Sequence, residues 1–385
     1  MFETFTCSMA MMTFASLAGP IARITGMVPW QMGIVVTLAG VAWMLTARIW
    51  GRLSDRHGRR PVILIGVAGF AVSYLALGVF VHVAVVKALS PVIVFAGLLV
   101  TRGLAGVFYA AVPATSAALV ADHVPIAQRP KAMATLGAAG ALGIVIGPAS
   151  VGLLVEGGLV PPLLLVAVLP MIGWLILWRV LPAHERHAPS GQSTLGLLDP
   201  RLRHAMVTAF LSMCGVTIAQ VIVGFYAIDR LMLSPTDGAR IAGMALACVG
   251  IALIVAQLVM RRLDWPTSRL MGIGMLVGAA GFAGAGLAAS AVQLCLGYAI
   301  AAFGMGWVFP SVTALATSVV PAEEQGAAAG TVSAAQGMAV VIGPLLGTAV
   351  YAIDPRAPFA LIAITFATAM IGTMRRSPIM TSFTA

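Results

Sequence analysis

Charge is what this sequence has least of. Asp, Glu, Lys and Arg together make up 9% of its 385 residues, while 60% are hydrophobic. A soluble domain carries about 25% charged residues. The chain has too few charges to cover a water-facing surface, and its mean hydropathy of +1.03 makes lipid its natural solvent. The 12 acidic residues are outnumbered by 22 basic ones, and none of the acids falls convincingly at mid-membrane. Cysteine is also scarce. Cys7, Cys214, Cys248 and Cys295 form no C-x-x-C pair, which argues against a disulfide framework and for small, buried, reduced side chains. No G-x-x-x-x-G-K-[ST] loop is present, so ATP-driven pumping has no support. No metal-ligand spacing or nucleophile–base set speaks for an enzyme, and no cofactor is expected. A cationic leader and an A-x-A cleavage site are both missing at the start, so the first apolar run is expected to be a retained span. The net charge of +10 does not point to nucleic acid, because the cations sit in short loops between apolar runs.

What the sequence does contain is long apolar runs. Residues 206–228 and 357–374 are of spanning length, since a helix needs roughly 20 apolar residues to cross the hydrocarbon core. The runs lack the in/out alternation of a membrane barrel. An all-α membrane protein of about twelve transmembrane helices is therefore expected. The spans are 3–24, 31–50, 61–83, 91–120, 131–155, 161–180, 205–228, 239–260, 269–289, 292–318, 326–351 and 357–374. The longest polar stretch, 182–203, reads as a cytoplasmic linker between bundles at 1–181 and 204–385. With the amino terminus inside, the outer face holds only Arg23, Lys87, Arg230, Arg240 and Arg356. Arg102 falls inside a span, and the remaining cations lie at the inner face. That bias follows the positive-inside rule and predicts both termini in the cytoplasm of a multi-pass protein of the bacterial cytoplasmic membrane.

The quartet Val-Ile-Gly-Pro occurs at 145–148 and again 196 residues later at 341–344. The same shift lays Val124-Pro125 on Val320-Pro321 without a gap. This is internal duplication. Two copies of a six-span unit enter the membrane in the same direction, giving parallel repeats with a cavity expected between them. Pro148 and Pro344 each remove a helix hydrogen bond. Gly143, Gly147, Gly152 and Gly343 allow close backbone approach. Together they are expected at a moving seam between the lobes.

The stretch GRLSDRHGRR, Gly51–Arg60, resembles the loop motif G-x-L-a-D-r-x-G-r-k of the major facilitator superfamily through Gly51, Leu53, Asp55, Arg56, Gly58, Arg59 and Arg60. Gly51 and Gly58 are expected to permit a tight turn. Arg56 and Arg59 are expected to pair with Asp122, so that Asp55 and these residues form a conformational latch. The second half has a weaker counterpart, RRLDWPTSR at Arg261–Arg269, without either glycine. Arg102 and Gly106 resemble the family's R-x-x-q-G element, with Ala105 in place of Gln. Gly143, Gly147, Pro148 and Gly152 resemble its antiporter element, with Val151 in place of one Gly. The resemblance implies the major facilitator fold and leans towards the drug:proton antiporter branch.

A cation inside a span faces protein or water and is a functional site by default, so Arg102 is expected to serve as an intramembrane relay or substrate contact. The resemblance places spans one, four, seven and ten around the cavity. Tyr109, Gln220, Phe225, Tyr226, Phe303, Trp307 and Gln336 are its expected lining, a largely apolar small-molecule chamber. Antiporters of this branch carry an acid deep in span one or four; here the proton site would have to be Glu3, at the inner edge of span one, Asp55 or Asp122, or be absent, and Glu3 is the one taken. The expected partners are lipid, a small solute and protons, with the chain acting as a monomer and the proton gradient supplying energy. The leading reading is proton-coupled efflux of a small amphipathic molecule by alternating access. Import by symport or uniport, an integral-membrane enzyme and a channel are the alternatives.

Overall fold

The computed structural model describes residues 1–125, 128–181, 199–321 and 324–374. Most of the expected linker, 182–198, lies outside the described residues, as do Arg375 and Arg376. The described chain is helical throughout. In order the helices are α1 Phe2–Ile24, α2 Pro29–His57, α3 Arg59–Val86, α4 Pro91–Tyr109, α5 Ala111–His123, α6 Arg129–Leu154, α7 Val160–Val180, α8 Arg203–Asp229, α9 Pro235–Met260, α10 Thr267–Gly286, α11 Ala291–Ser318, α12 Gln325–Tyr351 and α13 Ala357–Met374. Eleven apolar helical stretches among the described residues are long enough to cross a membrane, and α13 adds a shorter one. Large side chains left bare, such as Leu45 at 63% and Val72 at 65% exposed, would be unfavourable in water but suit a bilayer.

Two element boundaries differ from the sequence reading. The fourth span is broken at Ala110 into α4 and α5. Pro113 explains the break, because it has no N–H to give the Tyr109 carbonyl and its ring crowds that turn. The stretch expected to be a loop from Gly51 is helical to His57. Nothing in Arg-Leu-Ser-Asp-Arg-His stops a helix, and the turn rests on Gly58 alone, at φ 91° and ψ 158°. That region is essentially reserved for glycine. Gly51 lies inside α2, where an added methyl would meet open space; the expectation that it helps form the turn is corrected.

Contacts divide the chain into two compact units, Met1–Gly191 with Val223–Met244, and Gln192–Ile222 with Ala245–Ala385. Within each unit the same helix neighbours recur six spans apart. In the first, α1 packs on α6, α2 on α4, α3 on α4 and α3 on α7. In the second, α10 packs on α11 and on α13. Gly343 of α12 meets Thr217 of α8, and Gly306 of α11 meets Ala256 of α9. The duplication read from Val-Ile-Gly-Pro is thus a duplication of packing. At the first copy, a methyl on Gly147 would strike the Met9 carbonyl and Thr13 of α1. At the second, a methyl on Gly343 would strike Thr217 and approach the Cys214 carbonyl of α8. Both glycines let the helix pack against a threonine on the first helix of its own repeat.

The helix α1 is buried along most of its length, from Glu3 to Ala22. It is the axis against which the functional residues of the first unit are arranged.

Candidate functional site

Three groups of side chains carry chemistry in the first unit. The first sits at the α2–α3 turn. Gly58 reverses the chain so that Arg59, opening α3, faces back to the last turn of α2. Arg59 donates from Nε to Asp122 Oδ2 at the end of α5 (2.8 Å) and from NH1 to Ser54 Oγ (3.1 Å), and it pairs with Asp55. The Asp122 pair is largely shielded, with the two side chains 17% and 14% exposed, whereas Asp55 is 46% exposed. Arg60 adds a bond to the Trp178 carbonyl of α7 (2.8 Å). Arg56 is exposed and joins no ion pair among the described residues, so of the two expected arginines only Arg59 pairs with Asp122. The cluster joins α2, α3 and α5 through one guanidinium.

The second group surrounds Arg102 on α4, which is 2% exposed. Its guanidinium stands over the Phe14 ring at 4.5 Å, and it reaches the Met11 thioether at 3.0 Å and the Met11 carbonyl at 3.5 Å. Its Nε is buried without a hydrogen-bond partner. Among the described residues no carboxylate pairs with it. Seven residues on, two turns along the helix, Tyr109 contacts Ser8 Oγ at 3.3 Å and packs on Trp43 and Phe70. Glu3 lies eight residues before Met11, about 12 Å along the helix axis. It is 4% exposed and accepts from Ser116 Oγ of α5 at 2.9 Å. The amino group of Met1 stands 2.6 Å from it; Thr115, the chain neighbour of Ser116, has a buried Oγ1 with no partner among the described residues. In chain order α1 thus carries Glu3, then Ser8 with its partner Tyr109, then Met11 with its partner Arg102, as separate contacts. Gly106 has a different part: a methyl there would enter the backbone of Ala39, so it lets α4 close on α2.

The third group was not foreseen. Arg23 at the end of α1 bonds to Asp229 at the end of α8, and Arg240 of α9 reaches Glu156 at 3.3 Å. Between these pairs Gly19 approaches Gly224 and Phe225, and Gly243 approaches Pro148 and Gly152. Opposite charges at the ends of distant spans were the only trace of this arrangement in the sequence. Gly152 therefore faces α9, while Gly143 and Gly147 face α1.

The expected cavity residues divide. Phe225 and Tyr226 are fully buried, and Phe225 stacks beneath the Arg23 guanidinium at 5.5 Å. Trp307 is 6% exposed, donates from Nε1 to the Ala256 carbonyl (3.0 Å) and belongs to the α9–α10–α11 core. Phe303 is half-buried against it. Gln220 and Gln336 are half-buried, with no hydrogen bond among the described residues. Outside the spans, hydrogen bonds from Arg201 hold the Asp199 carboxyl below the usual carboxylate range, and Arg201 also reaches Glu324 at 3.1 Å. No group of three or more His, Cys, Asp or Glu able to hold a metal occurs among the described residues.

The family model described as Major Facilitator Superfamily matches residues 1–263 and 205–380. The chain is 27% identical to the Multi-drug resistance efflux pump PmrA homolog of Lactococcus lactis, over 84% of this chain and 79% of that one. It is 28% identical to the class D tetracycline resistance protein of Salmonella ordonez, over 82% and 78%. Its fold is similar to that of a D-xylose-proton symporter (TM-score 0.75, 15% identity, covering 98% and 97%). A bacterial homologue of the human lysosomal transporter Spinster is also similar (TM-score 0.72, 13% identity, covering 97% and 90%). With the duplicated packing, the α2–α3 turn and these matches in agreement, the chain belongs to the major facilitator superfamily, as a multi-pass secondary transporter of alternating-access fold.

Proposed function

We propose that this transporter exports a small amphipathic molecule across the cytoplasmic membrane against an inward flow of protons. The relatives named for drug and tetracycline resistance support the direction. The observation that carries the coupling is Glu3, a buried carboxylate bonded to Ser116 and to the Met1 amino group, on the same helix whose Met11 and Phe14 contact Arg102, a buried cation with no carboxylate partner among the described residues. In this reading Glu3 takes and releases the proton, and Arg102 senses that charge or holds the solute. Tyr109, Gln220, Phe303 and Gln336 face the solute at some stage of the cycle. Phe225, Tyr226 and Trp307 act as walls whose burial changes during it. Asp55, Arg59 and Asp122 latch the cytoplasmic side. The helices of 1–181 and 204–385 move as two lobes, with Pro148, Gly152 and Pro344 at the seam. The transporter works as a monomer with both termini in the cytoplasm.

Purified protein in vesicles with an imposed pH gradient tests the reading. Using a fluorescent amphipathic dye as cargo, an inward proton gradient should speed dye export at least tenfold. A rate that ignores the gradient would refute proton antiport.

A further inference from the structure

The second-half stretch from Arg261 to Arg269 is not used by the transport reading. We propose that this corner, with the crevice beside it, binds one anionic phospholipid, its phosphate at the arginines and an acyl chain in the crevice.

Arg261, Arg262 and Arg269 are all exposed at the junction of α9 and α10. Among the described residues none of them pairs with a carboxylate, and the one acid between them, Asp264, joins no ion pair there. With three arginines to one aspartate, the corner carries a net positive charge at the ends of two membrane helices. Guanidinium groups suit phosphate, because their planar forks donate in pairs. Basic pockets between membrane helices are known to recognise lipid headgroups on this principle.

An unbroken ladder of aromatic contacts leads from the charge into the hydrocarbon. The Arg269 guanidinium lies 4.4 Å from the centre of the Trp265 ring. Trp265 meets Trp307 edge-on at 6.0 Å, and Trp307 meets Phe303 at 4.9 Å. Phe303 then forms part of the wall of a crevice of about 400 Å³ between α9, α10 and α11. Ile251, Val255, Val277 and Ile300 form much of the rest. Its walls are apolar apart from the Cys248 thiol. Ile251, Val255 and Ile300 are 64%, 43% and 47% exposed, so the crevice opens sideways to lipid. Along α9, Val255 precedes Arg261 by six residues, about 9 Å; along α10, Val277 follows Arg269 by eight, about 12 Å. Tryptophan is also the residue that settles at the headgroup level, which places Trp265 at the boundary between the two parts. An apolar slot open to the bilayer fits a hydrocarbon chain, and the arginines about 9–12 Å further along α9 and α10 fit a phosphate. A phospholipid with net negative charge satisfies both.

The test titrates the full chain in detergent micelles with three probes, reading thermal stability and lipid adducts by native mass spectrometry. The probes are phosphatidylglycerol, phosphatidylcholine with the same chains, and glycerol phosphate. Phosphatidylglycerol should bind at least tenfold more tightly than phosphatidylcholine and raise the melting temperature. Glycerol phosphate alone should do nothing at the same concentration. Joint replacement Arg261→Gln, Arg262→Gln and Arg269→Gln should bring phosphatidylglycerol down to the phosphatidylcholine level, and the corresponding lysine replacements should keep the preference. Ala299→Phe, which fills the crevice from α11, should weaken both lipids severalfold. The proposal is overturned by equal binding of the two lipids, by a shift with glycerol phosphate equal to that with lipid, or by unchanged affinity in the glutamine variant. Should the glutamine variant fail to fold, Ala299→Phe decides: unchanged lipid affinity there rejects the site.

Discussion

Arg59 binds Asp122, Asp55 and Ser54 at once, and its partners are unequal in what they are worth. The Asp122 pair is shielded and joins α3 to α5; the Asp55 pair is half in water, where an ion pair contributes about 0–1 kcal/mol. Truncating a shielded, charge-assisted bond leaves the other group unpaired and costs about 1.5–3 kcal/mol. Arg59→Gln should therefore lower the melting temperature by several degrees, Asp122→Asn by a similar amount and Asp55→Asn by much less, as read by scanning fluorimetry. Equal losses for Asp55→Asn and Asp122→Asn would contradict this ranking. Arg102 presents the opposite case. Its charge is buried with an orphan Nε, and besides the contacts to the Met11 thioether and carbonyl it gains a cation–π contact, worth about 0.5–2 kcal/mol. Replacing a buried charge by an apolar side chain of similar length is commonly neutral or stabilising. Arg102→Met should leave the melting temperature unchanged or raised while vesicle transport falls at least tenfold. A variant that loses stability and keeps transport would make Arg102 a structural residue.

At the scale of the helix, the two Val-Ile-Gly-Pro copies invite a paired experiment. A methyl on Gly147 would lie 2.5 Å from the Met9 carbonyl, a backbone atom that moves only if α1 moves. A methyl on Gly343 would chiefly meet the Thr217 side chain, which can turn at the loss of its bond to the Ala339 carbonyl. Overpacking costs about 1–3 kcal/mol, so Gly147→Ala should fall at the upper end of that range and Gly343→Ala at the lower, in denaturation of the purified protein. The reverse order would mean that α1 yields more readily than α8. Legibility follows the same division between local and distant causes. Span positions, the duplication and the Gly58 turn were readable because apolar length, repetition and a glycine-only conformation are local properties. The break at Ala110 was readable in principle from Pro113 and was overridden by the unbroken apolar pattern around it. The resemblance of span ten to a cavity helix made Trp307 an expected chamber wall; its contacts with Ala256 and Trp265, which only tertiary packing brings to it, had no sequence trace. The bond from Ser116 to Glu3, 113 positions apart in the chain, had no sequence trace beyond the presence of both residues.

For the whole molecule, coupling requires that one protonatable group alter the balance between the states of an alternating-access cycle. Glu3 has the necessary placement: it is buried, held by Ser116 of α5, and sits on the same helix as Met11 and Phe14, the partners of Arg102. A carboxylate in that setting carries a charge whose presence or absence changes the local energy far more than it would in water. Neutral Gln at the same position keeps the acceptor for Ser116 and nearly the same shape, yet holds one charge state permanently. Glu3→Gln should therefore separate two activities that the wild type combines. Cargo exchange down its own gradient needs only the helices to move and should persist within about threefold of the wild-type rate. Export driven by an imposed pH gradient needs the proton to bind and leave, and should be lost. Both can be measured in one vesicle preparation, with and without the gradient, and thermal stability of the variant separates a lost proton site from a damaged fold. If gradient-driven export survives in a stable Glu3→Gln variant, the proton travels elsewhere, and Asp55 and Asp122 become the carboxylates to test.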